Sequence, residues 1–451
     1  MIQLTNSCVQ ALLSCGMHTI RKVVIIGGGF AGLQLARKLN NKPAFAVTLI
    51  DRFNYHQFQP LFYQVATGGL DASNISFPLR KVFHNSKNVR IRLDKVTGID
   101  TQAQVVHTEH GRQLYDDLVI ATGADTNFFG NADLEQHTYP MKSTVEALQL
   151  RHKIITNFEA LLYTQDPILQ QRLLTIVVVG GGPTGVELSG AIAEMKSFVL
   201  PKDYPEIDFS KMRILLLEGT GKTLAAMSES SSRQSQQYLQ QLGVEVMTNT
   251  LMETYDGQTI TLKDGNTIES GLVIWAAGIK GNVPDGIDPS LIVRGNRIKV
   301  NRYNQVEGYS NVYALGDVAW MQTPNYPNGH PQVANVAINQ AANLSSNWLK
   351  YSYDTTHWKA YEYNDLGSMA TVGRNKAVVD LPFPKSAEKK WHFGGLFAWL
   401  VWMFLHLMLI LGVKNKLMVF INWMYNYLTY DQSLRLIFKE FDRDQRFVEH
   451  T

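Results

Sequence analysis

Two Rossmann-like dinucleotide-binding domains of α/β type, followed by a C-terminal membrane-associating helical segment, are the architecture expected for this 451-residue chain. Three features lead there. The turn G-x-G-x-x-G occurs twice, at 27–32 and 180–185, each time between an apolar run and a helical pattern. Each copy is followed by a second apolar run that ends on a carboxylate. From residue 391 onward the composition turns apolar and aromatic. A chain of this length accommodates two or three domains of about 100–200 residues. Hydrophobic content of 45% and charge of 18% suit a globular protein, and a net charge of +3 does not suggest a nucleic-acid partner. The two cysteines, Cys8 and Cys15, both precede the first strand. They exclude a disulfide framework, a Cys-rich metal site and a redox-active Cys pair in the body.

Residues 1–20 read as a leader, either disordered or produced by a start placed ahead of Met17. Leu12-Leu13-Ser14-Cys15 resembles a lipoprotein cleavage box but lacks a positive n-region and a longer apolar run. Val23–Ile26 is a continuous apolar strand of the kind buried on both faces of a parallel sheet. It stops at Gly27-Gly28-Gly29, and a helix carries Leu33, Leu35, Ala36 and Leu39 back onto the sheet. Gly27 permits the tight turn, Gly29 lets a pyrophosphate approach the backbone, and Gly32 lets helix and strand pack closely. The free N–H groups at the helix start favour the phosphates. Asp51 ends the strand Val47–Ile50, 19 residues after Gly32, where a carboxylate holds a ribose hydroxyl. Residues 52–80 form a polar-aromatic loop that either holds flavin and shapes a pocket or is an ordinary α/β excursion. Residues 89–122 contain two β-like runs and close on Ala121-Thr122-Gly123, the A-T-G at a strand end that meets the ribityl–pyrophosphate region in two-nucleotide flavoproteins.

The second cycle opens with the strand Leu174–Val179, then Gly180, Gly182 and Gly185, and a helix continuing through Val186, Leu188, Ile192 and Ala193. The strand Arg213–Leu217 ends on Glu218, 33 residues after Gly185, with FVLPKDYPEIDFSKM expected as a surface excursion between them. A carboxylate at Glu218 with no adjacent Arg favours a free 2′-hydroxyl, hence NADH over NADPH, although Lys222 pulls the other way. The unit ends at Trp275-Ala276-Ala277-Gly278, and Gly316-Asp317 follows a further strand. In two-domain flavoproteins this Asp contacts the ribityl chain. The expected division is 21–135 with 282–390 for FAD, 136–281 for NADH, and 391–451 as an anchor.

Residues 393–413 carry no formal charge apart from a titratable His406, and 21 residues suffice to span a bilayer as a helix. A second apolar stretch, 417–430, is rich in Trp423, Tyr425, Tyr427 and Tyr430. Lys414 and Lys416 sit between the two, and Arg435, Lys439, Arg443 and Arg446 lie beyond. Aromatics with basic residues are what interfacial helices use against anionic lipid. Three readings are open: a two-helix monotopic anchor, one spanning helix, or burial in a dimer interface. His406 reads as a packed or interfacial histidine rather than a ligand.

With these motifs in place, residues 21–440 resemble the type II NADH:quinone oxidoreductases. The resemblance is carried by GGGFAGL (27–33), NYHQFQPLFYQVATG (54–68), ATG (121–123), GGGPTGVELSGAIAE (180–194), WAAG (275–278), GD (316–317), YNDLGSMATVGR (363–374) and the tail. It implies tight non-covalent FAD held by Gly27, Gly28, Gly29, Phe30, Ala31, Gly32, Asp51, Arg52, Val96, Ala121, Thr122, Gly123, Asp317, Ala337 and Ile338. It implies NADH at Gly180, Gly182, Pro183, Thr184, Gly185, Glu218, Ala277 and Gly278. Electrons then pass to a quinone in the membrane without proton pumping, with the cofactor doing the redox chemistry. Glu187, directly after the second glycine turn, matches the family glutamate near the nicotinamide and quinone pockets; a carboxylate at a helix start also serves as a dipole partner. The family's A-Q-x-A-x-Q reads here Ala334-Asn335-Val336-Ala337-Ile338-Asn339, followed by Gln340. Asn335, Asn339 and Gln340 are therefore the quinone-side candidates, the two asparagines each one methylene shorter than the family residue. NADH as substrate places the catalytic body on the cytoplasmic face, and the tail is compatible with a homodimer. Against this stand a soluble NAD(P)H oxidase or ferredoxin-type reductase on the same fold, and a slow flavoprotein sensor.

Overall fold

The computed structural model describes residues 20–352, 354–383, 386–432 and 434–437. Cys8, Cys15, the leader and the basic residues Lys439, Arg443 and Arg446 lie outside the described residues. By packing, the chain divides into two units: 1–56 with 78–124 and 280–363, and 57–77 with 125–279 and 364–451. This division groups 57–77 and 364–390 with the second nucleotide unit, whereas the expected domains put them in the first.

The first unit is built on a five-stranded parallel sheet in the order Val312–Ala314, Asp117–Ile120, Arg21–Ile26, Phe45–Asp51, Val89–Leu93. Val23, Ile25 and Leu49 are fully buried, as the unbroken apolar runs require of strands covered on both faces. Helix Phe30–Leu39 buries Leu33, Leu35, Ala36 and Leu39. Helix Ala334–Tyr351 packs on it. Where two β-like runs were expected before Ala121, the structure has Val89–Leu93, a three-stranded antiparallel meander (Val96–Asp100, Val105–Thr108, Gly111–Leu114) and Asp117–Ile120. The meander strands are short and polar on one face, so apolar runs alone undercount them.

The second unit repeats the plan: Tyr139–Pro140, Leu272–Trp275, Thr175–Val179, Arg213–Leu217, Glu245–Met247, all parallel. The insertion before Arg213 is not a surface excursion. Helix Pro183–Glu194 runs into a π-helical segment, Met195–Val199, and a short helix, Leu200–Asp203. Val199, Leu200, Tyr204, Phe209 and Met212 are buried, with Phe158 packed against both Tyr204 and Phe209. An extra backbone residue per turn widens the helix at this point, a feature frequent at functional sites.

A three-stranded antiparallel sheet, Ser368–Thr371, Ala377–Phe383 and Ser386–Gly394, then leads into two helices, Leu396–Leu409 and Val413–Thr429. The apolar run 393–413 is therefore not one helix. Gly395 and Gly412 both take positive φ, +79° and +78°, and break it at each end. The 14-residue helix between them is about 21 Å long, short of the ~30 Å hydrocarbon core. Among the described residues no helix is long and apolar enough to cross a membrane.

Candidate functional site

The two glycine turns have the same geometry. Gly27 and Gly180 stand at φ +103° and +111°, closed to a side chain by the Ala121 carbonyl in one case and Ala276 in the other. A Cβ on Gly32 would lie 1.9 Å from the Gly27 carbonyl oxygen, and one on Gly185 at the same distance from that of Gly180. Gly29 and Gly182, by contrast, face open space. So two glycines of each turn serve packing, and the third leaves room where a pyrophosphate would meet the helix N-terminus.

The carboxylates repeat as well. Gly28 N–H donates to Asp51 Oδ2 at 2.5 Å and Phe53 N–H to Oδ1 at 2.7 Å. Gly181 N–H donates to Glu218 Oε2 and Thr220 N–H to Oε1, both at 2.6 Å. Each acid thus ties the end of the second strand to the glycine turn. Burial raises the Asp51 pKa, opposed by the Phe53 and Gly28 N–H groups and by Arg52. Arg52 lies over the Phe53 ring, 5.1 Å from its centroid. Lys222 pairs with Glu229 at 3.1 Å, so its ammonium is already engaged.

Around the first turn, Ala31 is buried and Phe30 sits edge-on to His56. His56, which sequence reasoning missed, is buried and places Nδ1 3.0 Å from the Gly28 carbonyl. Burial lowers its pKa, so it is a neutral prop for the turn. Ala121 is buried, Thr122 Oγ1 donates to the Asn282 carbonyl, and Gly123 takes a positive φ of +70°. Val96 is half-buried against the sheet core. Gly316, ahead of Asp317, packs on Ala337 of helix Ala334–Tyr351, where Ile338 is half-buried. In the second unit, Pro183 and Thr184 form the exposed first turn of the glycine helix, and Gly278 accepts from Asn127 N–H with Ala277 half-buried beside it.

The candidates Asn335, Asn339 and Gln340 are all on helix Ala334–Tyr351 of the first unit. Asn339 Nδ2 donates to Asn335 Oδ1 at 2.5 Å. Gln340 is only 1% exposed, and its Oε1 accepts from Gly316 N–H at 2.7 Å. Its amide holds the G-D turn, a structural task that sequence spacing does not reveal.

Glu187 lies elsewhere, within the second unit. It lines a cavity of about 120 Å³ together with Tyr63, Glu194, Arg374, Trp402 and Trp423. The cavity exists because Gly190 lets the glycine helix come close to the C-terminal sheet; a Cβ there would meet Gly373 N at 3.0 Å. That approach brings Thr371 N–H to 3.4 Å from Glu187 Oε1, a long, weak bond. Glu187 is 8% exposed, and burial pushes its pKa up to about 8. Thr371 N–H pulls the other way, as does the Trp402 indole, which completes no hydrogen bond. The wall opposite is a polar chain: Trp423 Nε1 donates to Gln64 Oε1 at 2.6 Å, and Gln64 Nε2 to Tyr63 Oη at 2.8 Å. Arg374 holds the second tail helix, donating to the carbonyls of Asn426 and Tyr427 with its guanidinium 3.6 Å from the Tyr430 ring centroid. His406 stacks on Trp402 at 4.0 Å and bonds its carbonyl, with burial lowering its pKa to about 4; it is a packed neutral histidine. No cluster suited to a metal ion occurs among the described residues.

Residues 21–341 match the family described as pyridine nucleotide-disulphide oxidoreductase, and 366–430 match the NDH2 C-terminal domain. A type II NADH:quinone oxidoreductase of Mycobacterium tuberculosis is 36% identical over 90% of this chain and 88% of its own length. A second one from that organism is 35% identical over 89% and 86%. NDH2 of Plasmodium falciparum, solved with NADH, shares the fold with a TM-score of 0.82, at 20% identity over 93% of this chain and all of that one. The sulfide:quinone oxidoreductase of Aquifex aeolicus also superposes, with a TM-score of 0.66, but this chain has no cysteine beyond residue 15. Both glycine cradles, the C-terminal sheet and the helical tail are accounted for by one family over nearly the whole chain, and the protein belongs to the type II NADH:quinone oxidoreductases.

Proposed function

We propose that Glu187 is the carboxyl that serves quinone reduction in this enzyme, and that the cavity of the second unit receives the quinone head group. As a family member the enzyme passes electrons from NADH through FAD to a quinone without pumping protons. FAD, when bound, supplies hydride acceptance and two-electron return. The first unit fits it: the open space before Gly29, the half-buried Asp51 carboxyl and the Gly316-Asp317 turn match the needs of pyrophosphate, ribose and ribityl chain. Nothing in that set requires a covalent link, and we read the FAD as non-covalent.

The observation that carries the Glu187 role is its burial at an aromatic-lined cavity without an ion-pair partner among the described residues. At neutral pH it holds its proton and can donate a hydrogen bond or the proton itself to a quinone oxygen. Trp402, Trp423 and Tyr63 offer flat faces to an aromatic ring. Glu218 positions NADH through the adenosine ribose. Replacing Glu218 with Ala should raise the KM for NADH by about tenfold or more, as expected for a lost charged hydrogen bond. Replacing it with Arg should shift preference toward NADPH; steady-state assays that return an unchanged NADH/NADPH ratio would remove this assignment.

The tail helices support peripheral membrane attachment. Trp402 and Trp423 point inward, while Phe397, Leu400, Phe404, Leu409, Leu417 and Leu428 are exposed. A contiguous apolar surface of this kind on two short helices is what an interfacial anchor presents. With NADH as substrate, we read the body as facing the cytoplasm. The whole reading is tested by adding NADH to the detergent-purified yellow protein. Bleaching with NADH, and recovery on quinone addition much faster than with oxygen alone, is expected. Recovery equally fast with oxygen would favour an oxidase.

A further inference from the structure

Reduction of a quinone by NADH balances as NADH + H⁺ + quinone → NAD⁺ + quinol. Two electrons and one hydrogen nucleus come from the hydride, and one proton must come from water. Glu187 is only 8% exposed, so a proton it donates has to be replaced from solvent through its surroundings. We propose that Tyr63 and Glu194 are positioning residues that pass the solvent proton to Glu187 along the wall of the second unit's cavity.

This rests on the reading of Glu187 given above. Glu194 is seven residues after Glu187 on the same helix, so both side chains occupy one face about 10 Å apart along the axis. Both line the same cavity, and Tyr63 lines it from helix Phe62–Ala66. Glu194 is the outermost of the three, half-buried, whereas Tyr63 and Glu187 are 7% and 8% exposed. Tyr63 feels the charge of both acids, which raise its pKa in addition to the larger effect of burial. Its oxygen already accepts the Gln64 amide at 2.8 Å, so its own hydrogen is available for donation. Before a head group fills it, the space of about 120 Å³ has room for waters that complete the path.

Glu194 is held ready rather than neutralised. Arg374 N–H donates to its Oε1 at 2.5 Å, while the Arg374 guanidinium is committed to the carbonyls of Asn426 and Tyr427. No ion pair to Glu194 occurs among the described residues. Burial raises the Glu194 pKa, and the Arg374 N–H with the charges of Arg374 and Lys376 lowers it again. The titratable and charged groups around the path are Tyr63, Glu187, Glu194, Arg374, Lys376, Tyr427 and Tyr430.

The test is rapid-mixing kinetics on the full-length, FAD-loaded enzyme with a soluble short-chain quinone. The variants are Glu194→Gln, Glu194→Asp, Tyr63→Phe and Glu187→Gln. Flavin bleaching by NADH should match wild type in the Glu194 and Tyr63 variants. Quinone-driven recovery should slow about 10- to 100-fold in Glu194→Gln and Tyr63→Phe, within the range for lost proton transfer. The slowed step should show an enlarged solvent deuterium effect and a steeper decline with pH. Proton uptake followed with a pH indicator dye should lag in step with it. Glu194→Asp should restore most of the rate, and so should a small carboxylic acid added to Glu194→Gln. Wild-type recovery and isotope effect in Tyr63→Phe and in Glu194→Gln, with Glu187→Gln slow, would overturn the relay and leave Glu187 standing. Wild-type recovery in Glu187→Gln would instead remove the reading on which the relay rests. Should Glu194→Gln fail to bind FAD, Tyr63→Phe decides through its isotope effect and proton-uptake lag, which loss of the Gln64 contact alone would not produce.

Discussion

Glu187→Gln should lower the rate of quinone-driven flavin reoxidation by about two to four orders of magnitude, the range for loss of a general acid. Bleaching by NADH should change much less. Glutamine keeps the volume and hydrogen-bonding shape of a neutral carboxyl but cannot give up a proton, so the comparison isolates proton donation. The wild-type pH profile follows from the same group. Burial pushes Glu187 up to about 8 from its ordinary 4.5. It is protonated at neutral pH, and quinone reduction should hold steady to about pH 8 and fall above it. A rate for Glu187→Gln within threefold of wild type at pH 7 would discard the assignment.

The raised pKa also affects stability. Between about pH 4.5 and 8 the folded enzyme retains a proton that the unfolded chain has released. Stability contributed by this group is therefore fully present below 4.5 and declines as pH rises through 8, by an amount on the order of a few kcal/mol. Glutamine carries no such proton. The difference in Tm between Glu187→Gln and wild type should move in favour of the variant from pH 5 to pH 9. A pH-independent difference would mean that Glu187 is already ionised in the folded enzyme.

The second large effect concerns the tail. Deleting everything after Lys390 would remove Trp402 and Trp423, which are 1% and 8% exposed, and with them a wall of the cavity. The clean test uses outward residues. Phe404 and Val413 are 61% and 84% exposed, so Phe404→Asp with Val413→Asp leaves the internal packing in place. Each such apolar side chain contributes about 1.5–3 kcal/mol on burial in an apolar phase. Replacing two of them with carboxylates should lower vesicle binding at least 100-fold, while NADH-driven reduction of a soluble acceptor persists. Co-sedimentation with anionic vesicles and size-exclusion chromatography separate the outcomes. Loss of a dimer with vesicle binding intact would assign the apolar face to a second copy of the chain instead.

The two cradles are legible in the amino-acid sequence because their information is local. A glycine that must take φ +103° or admit a neighbouring carbonyl leaves its mark within a few residues, and a carboxylate ending the next strand lies in register with it. The carboxylates do more than spacing implies: Asp51 and Glu218 each fasten two backbone N–H groups. The departures come from non-local packing. The insertion around Tyr204 and Phe209 reads as a loop because its apolar residues have no helix or strand period, yet Phe158 buries them. Gln340 reads as a substrate ligand from its place in a motif, and in the fold its amide oxygen also accepts from Gly316 N–H while Nε2 has no partner among the described residues.

Short stretches of sequence suffice for the α/β class, the two glycine turns, the carboxylates that end the neighbouring strands and the apolar character of the tail. All of these follow from backbone stereochemistry and composition. The surroundings of Glu187 depend instead on the folded chain. Thr371 is 184 positions away from it, and Tyr63, Trp402 and Trp423 come from three other segments. Folding likewise decides that 393–413 is broken at two glycines into a helix of 14 residues, too short to cross a bilayer. The pKa of a carboxyl and the course of an apolar run both depend on what is packed beside them, and residues distant in sequence do that packing.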